Sequence, residues 1–132
     1  VQIKELQQKL GFAVVFVTHD MSLVSHFSDR LIVMYAGQVA EEGRTRTVFD
    51  SPAHPYSKGL LEAFPSIRGP RVHMTGIPGN PPELLNPPPG CRFSPRCPVV
   101  MPQCVEVEPA LYDVGDVEVR CLLHANGGRV HA

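Results

Sequence analysis

Two rhythms of apolar residues run through the first half of the chain. Ile3, Leu6 and Leu10 stand three and four positions apart among Lys4, Glu5, Gln7, Gln8 and Lys9, which predicts an amphipathic helix stopped at Gly11. Ala13-Val14-Val15-Phe16-Val17 is then an unbroken apolar run that halts on Thr18-His19-Asp20, the pattern of a buried strand in a parallel sheet. Asp20 is suited to cap a short helix through Ser28, with Leu23, Val24 and Phe27 turned inward. Leu31 to Tyr35 predicts a second strand, Ala36-Gly37 a tight turn, and Gln38 to Glu42 a third strand polar enough to be a sheet edge. After this α-β-α-β-β order, Thr45 to Asp50 reads as one helical turn. Pro55 to Phe64 reads as a helix with proline in its first turn and Leu60, Leu61 and Phe64 on one side.

The rhythm then stops. Twelve of the 14 prolines fall between Pro65 and Pro109, including Pro81-Pro82 and Pro87-Pro88-Pro89, and regular structure cannot persist through them. The division expected is residues 1–64 as an α/β unit and residues 65–132 as an irregular extension: an extended Pro/Gly connector, then from Gly90 a small unit holding every cysteine. That unit has too few apolar residues for a core of its own, so another device must hold it together.

Composition narrows the function classes. A chain of 132 residues with 43% apolar content can bury one modest core, and a net charge of -1 gives no reason to expect a nucleic-acid or anionic-membrane partner. The longest apolar runs are too short to cross a bilayer and the amino end carries no signal-peptide pattern, so a soluble, cytosolic protein is the expectation. The helical pattern begins at Val1 without a cap, as in the tail of a longer chain.

The strongest candidate chemistry is the quartet Cys91, Cys97, Cys104 and Cys121, spaced by five, six and sixteen residues. Three readings compete. Two disulfides are disfavoured where no export signal is visible. Structural zinc draws its ligands from knuckles with two to four intervening residues, a spacing absent here, though His124 could stand in for one cysteine. An iron-sulfur cluster takes four thiolates from looser loops, and Cys97-Pro98 matches the Cys-Pro step of some ferredoxin-type sites. Arg92, Arg96 and Arg120 each adjoin a cysteine, where they could offset the charge of a thiolate-ligated centre or donate to its sulfurs.

The second candidate is His19, at the carboxyl end of the first expected strand, where open α/β sheets bind ligands. Asp20 reads as a cap rather than a base. His26 reads as solvent-facing, His54 as the residue leading into a helix, and His73 and His131 stand in no constellation.

With these residues in view, the chain resembles the carboxyl-terminal part of the ATP-binding subunit of an ABC transporter, of the oligopeptide/dipeptide importer family. Val14-Val15-Phe16-Val17-Thr18-His19-Asp20 resembles that family's switch-histidine strand, and Asp29 through Gly43 resembles the strands after it. The importer branch is indicated by His54-Pro55-Tyr56-Ser57-Lys58-Gly59-Leu60-Leu61, by Ile77-Pro78-Gly79-Asn80-Pro81-Pro82, and by Gly90-Cys91-Arg92-Phe93-Ser94-Pro95-Arg96-Cys97-Pro98 with the later Cys104 and Cys121.

The resemblance implies the C-terminal end of an ABC-type ATP-binding domain over 1–64 and a Pro-rich, four-cysteine extension over 65–132. It implies that His19 is a catalytic residue reaching the γ-phosphate of ATP, and that Cys91, Cys97, Cys104 and Cys121 hold a 4Fe-4S cluster, with zinc as the alternative. ATP and Mg would be cofactors of the intact subunit only. The sequence has no Gly-x-x-x-x-Gly-Lys-Ser/Thr phosphate loop, no acidic strand end for magnesium and no signature loop, so this chain alone is expected not to hydrolyse ATP. The partners implied are a second ATP-binding subunit, transmembrane permease subunits and, indirectly, an extracytoplasmic solute-binding protein. The location implied is cytoplasmic, peripheral on the inner face of the cell membrane. The competing class is a stand-alone metal-binding interaction module built on the four cysteines.

Overall fold

A computed structural model of the chain describes residues 2–64 and 76–130. Helix α1 (Gln2–Leu10) ends where the Gly11 N–H donates to the Gln7 carbonyl at 2.8 Å with Gly11 at φ 71°, the left-handed stop that glycine permits. The segment from Phe12 to Val17 runs on without pairing among the described residues. Helix α2 (Met21–Phe27) follows, then strand β1 (Arg30–Tyr35), strand β2 (Gln38–Arg44), helix α3 (Thr45–Asp50) and helix α4 (Pro55–Glu62). Beyond the connector lie a short helix α5 (Gln103–Glu106) and strands β3 (Tyr112–Val114), β4 (Val117–Val119) and β5 (Arg129–Val130).

The β1–β2 hairpin is the centre of this arrangement. Its two turn residues, Ala36 and Gly37, have φ of 47° and 79°, and positive φ at both positions is what a type I′ turn requires to match strand twist. Glycine reaches that region freely, whereas Ala36 holds it at a cost of about 1 kcal/mol. Along β1 the side chains alternate strictly, with Leu31, Val33 and Tyr35 buried and Arg30, Ile32 and Met34 outside. Val24, Leu31, Val33, Val48 and Val117 form one core cluster under α2, α3 and α4. Tyr35, Ala40 and Phe93 form a second beneath the cysteine unit.

Strands from both halves of the sequence share one sheet, in the order β1-β2-β4-β3-β5, with every pair antiparallel. Gly43 lies opposite Val117 where β2 meets β4, and a Cβ there would come within 2.6 Å of Val117 Cγ1, so the close approach depends on glycine.

Four expectations are corrected. The Ala13 to Val17 run is neither a strand nor buried: Val15 is 93% and Val17 98% exposed, because an apolar run becomes a buried strand only when other strands and faces cover it. The described sheet is antiparallel rather than parallel. Strand β2 is not an edge; β4 pairs along its far side, and its polar Glu41 is accommodated by hydrogen bonds rather than solvent. The cysteine extension is not wholly irregular, since Tyr112 to Val119 alternates around a turn at Gly115-Asp116 and forms a hairpin that completes the sheet. The boundary at Phe64-Pro65 and the first part of the connector, with His73, lie outside the described residues, as does His131.

Candidate functional site

His19 sits on the exposed turn between the unpaired apolar segment and α2. Local hydrogen bonding shapes that turn. The Asp20 N–H donates to Thr18 Oγ1 at 3.0 Å, and Asp20 Oδ1 accepts from the Ser22 N–H at 2.9 Å, the Ser22 hydroxyl at 2.8 Å and the Leu23 N–H at 3.2 Å. The Ser22 hydroxyl, then the Leu23 N–H, hold the Asp20 carboxyl below its ordinary range. Asp20 is thus the α2 cap, committed to the helix. Among the described residues the His19 ring makes no hydrogen bond; it lies beside the helix cap, where its charge adds a small share to the lowering of the Asp20 carboxyl.

The cysteines come from three pieces of chain. Cys91 and Cys97 flank a single 3-10 turn (Ser94–Arg96), Cys104 lies in α5, and Cys121 follows β4 and leads into a second 3-10 turn (Leu122–His124). The Cys91 N–H donates to the Cys104 carbonyl at 2.8 Å, and a Cβ on Gly90 would lie 2.3 Å from that same oxygen, so glycine alone lets the two segments touch. Beneath them Phe93 is buried against Tyr35 of the hairpin and Tyr56 of α4, with ring centroids at 5.2 and 5.5 Å, which supplies the core this unit lacks.

All four cysteines are free thiols, Cys104 and Cys121 buried, Cys91 and Cys97 half-buried. Burial first, and the other thiols in addition, push Cys91 and Cys97 upward and Cys121 to about 11. Each of these three feels at least one of the remaining cysteines, so the thiols influence one another's ionisation; soft sulfur is the donor type that zinc and iron-sulfur centres use. Among the described residues no three His, Cys, Asp or Glu side chains are gathered as a ready single-ion site.

The neighbouring arginines do something other than expected. Arg92 Nη1 donates to the Ala36 carbonyl at 2.6 Å, Arg96 donates to Pro78 and Ile77 carbonyls at 3.0 and 3.1 Å, and Arg120 donates to Val39 and Pro109 carbonyls at 3.0 and 3.1 Å. Guanidinium groups spent on main-chain oxygens in this way are fixed to the hairpin and connector rather than to sulfur.

Sequence reasoning missed a buried polar cluster below the site. Glu41 is fully buried and accepts the main-chain N–H groups of Ala53 and His54 at 2.8 and 3.0 Å. His54 caps α4 through Nδ1, which accepts from the Tyr56 N–H at 2.9 Å. Burial lowers its pKa to about 4, against a weaker opposing pull from the Arg120 main chain. His124, the candidate alternative ligand, donates through Nε2 to the Ala53 carbonyl at 3.0 Å. The signal available was a carboxylate inside an alternating strand followed by His-Pro, which reads as a helix start but says nothing of depth.

Among the described residues no helix is long and apolar enough to cross a membrane. Residues 40–104, from β2 through Cys104, match the family described as oligopeptide/dipeptide transporter, C-terminal region. The chain is 42% identical over 119 residues to a peptide import ATP-binding protein of Brucella melitensis, covering 90% of this chain and 36% of that protein. It is 41% identical over 124 residues to the oligopeptide transport ATP-binding protein OppD of Haemophilus influenzae, covering 93% and 38%. The corresponding OppD of Salmonella typhimurium is 45% identical over 107 residues, covering 81% and 32%. The chain spans about a third of the length of the curated relatives it matches. It belongs to the oligopeptide/dipeptide transporter family, as a C-terminal part of that family's ATP-binding proteins.

Proposed function

We propose that this chain is the C-terminal part of an ATP-binding subunit that energises peptide import by an ABC transporter. Similarity to peptide import ATP-binding proteins over nine-tenths of the chain carries this reading. In the intact subunit, working with Mg, His19 reaches the γ-phosphate of ATP held between two ATP-binding subunits. An unengaged imidazole N–H at the start of a capped helix is suited to this, because phosphoryl transfer is accelerated chiefly by positioning and by donors aimed at equatorial oxygens. Without a phosphate loop the chain alone does not turn over ATP. The subunit lies at the cytoplasmic face of the membrane against permease subunits, which receive peptide from an extracytoplasmic binding protein. Residues 1–64 belong to the nucleotide-handling part and residues 65–132 to the extension.

Cys91, Cys97, Cys104 and Cys121 hold a 4Fe-4S cluster that staples the extension. Four free thiols that influence one another's ionisation support this. When bound, the cluster supplies cross-linking that the small core cannot.

Two measurements test the proposal. In the full-length subunit His19→Ala should retain ATP binding and lose hydrolysis by about 100-fold; unchanged hydrolysis overturns the role of His19. Chain purified anaerobically should carry iron and acid-labile sulfide at about four each; a colourless, zinc-loaded sample overturns the cluster.

A further inference from the structure

His19 lies between two side chains that fold back on the main chain. On one side Thr18 Oγ1 accepts the Asp20 N–H at 3.0 Å, a bond that spans His19 and closes the bend on which it sits. On the other, Asp20 Oδ1 accepts the Ser22 N–H at 2.9 Å and the Leu23 N–H at 3.2 Å, which ties the same bend to α2. Thr18 is half-buried between Val17, which is 98% exposed, and the exposed His19, so its side chain is drawn in while both neighbours face solvent. Among the described residues no strand pairs with 12–17, and no sheet register sets the direction in which the His19 ring leaves the chain. Hydrogen bonds reaching two and three residues along the chain set it instead.

We infer that Thr18 is a positioning residue for His19: its hydroxyl oxygen, holding the Asp20 N–H, fixes the bend that aims the imidazole, and Asp20 anchors that bend to α2. The inference rests on the reading of His19 as the group that reaches the γ-phosphate. Thr18 acts through the main chain of the residue it spans and touches no phosphate itself. A donor aimed at developing charge accelerates phosphoryl transfer when its direction is set beforehand, since a ring that swings in solvent must be ordered again in each turnover. Threonine suits the task because its β-branch restricts the side chain to few rotamers, which keeps the acceptor oxygen in place. Valine would keep that branch and lose the acceptor; serine would keep the acceptor.

Steady-state ATP hydrolysis by the full-length subunit tests this. Thr18→Val should lower kcat about tenfold, the loss of one orienting hydrogen bond, with KM for ATP unchanged. Thr18→Ser should return kcat to within about twofold of the parent. Asp20→Ala removes the anchor and should also lower kcat, whereas Asp20→Asn, an equally good cap, should not. In a His19→Ala background Thr18→Val should change nothing further, because a residue that acts through His19 has no effect without it. A parental kcat in Thr18→Val, a KM that rises as kcat falls, or an added loss in the His19→Ala background overturns the positioning role and leaves that of His19 standing. Where Thr18→Val does not fold, the Asp20 pair decides, and equal kcat in its two members overturns the positioning role. Hydrolysis unaffected by His19→Ala overturns the reading of His19 and the positioning role together.

Discussion

The Glu41 carboxylate, fully buried, accepts the main-chain N–H of His54 at 3.0 Å and with its other oxygen that of Ala53 at 2.8 Å. One side chain from the middle of β2 thereby satisfies the two donors that lead into α4. Replacing it with leucine keeps the volume but leaves two buried N–H groups without acceptors, which should cost about 3 kcal/mol. Glu41→Gln keeps one acceptor and should cost about 1 kcal/mol. Urea unfolding of the whole chain checks the order; a leucine variant as stable as the parent would refute the role of Glu41.

His54 makes stability depend on pH. Its Nδ1 accepts a hydrogen bond from Tyr56, which an imidazolium cannot do, and burial lowers its pKa from 6.5 to about 4. Between these values the unfolded chain binds a proton that the folded chain refuses, so the contribution is whole above pH 6.5 and is lost as pH falls toward 4. The loss should reach about 3 kcal/mol. Denaturant midpoints across this window, compared with those of His54→Gln, should show a steep slope in the parent and a flatter one in the variant.

Gly90 is the contact point of the cysteine unit. An alanine methyl there would lie 2.3 Å from the Cys104 carbonyl oxygen and 2.6 Å from the Val105 carbonyl carbon, both main-chain atoms that cannot swing aside. Gly90→Ala should therefore break the Cys91–Cys104 hydrogen bond and cost about 2 kcal/mol. Limited proteolysis over residues 90–124 is the direct measurement, with wild-type resistance in the variant counting against the packing described.

Much of the local structure was legible in the residues themselves. The Ala36-Gly37 turn, the Asp20 cap and the helix begun by Pro55 are where their signals put them, because a turn, a cap and a first-turn proline act over two to four residues. The Ala13 to Val17 run misled for the converse reason. Its composition specifies a strand only with partners, and the described residues provide none. The edge assignment of β2 failed because Glu41 and Glu42 look solvent-bound in sequence, whereas Ala53 and His54, twelve and thirteen residues on, supply the donors that let Glu41 be buried.

The same division runs through the site. Sequence alone determined which four thiols are available, that His19 ends an apolar run beside a helix cap, and which family the chain resembles. These depend on residue identity and short spacing. Tertiary structure decided that the extension shares the hairpin's sheet, that Phe93 fills its core, and that the three arginines hold carbonyls instead of sulfurs. Arg92 and Ala36 are 56 residues apart and Arg120 and Val39 are 81 apart, and no local pattern encodes a hydrogen bond over such distances until burial and sheet register bring the partners together.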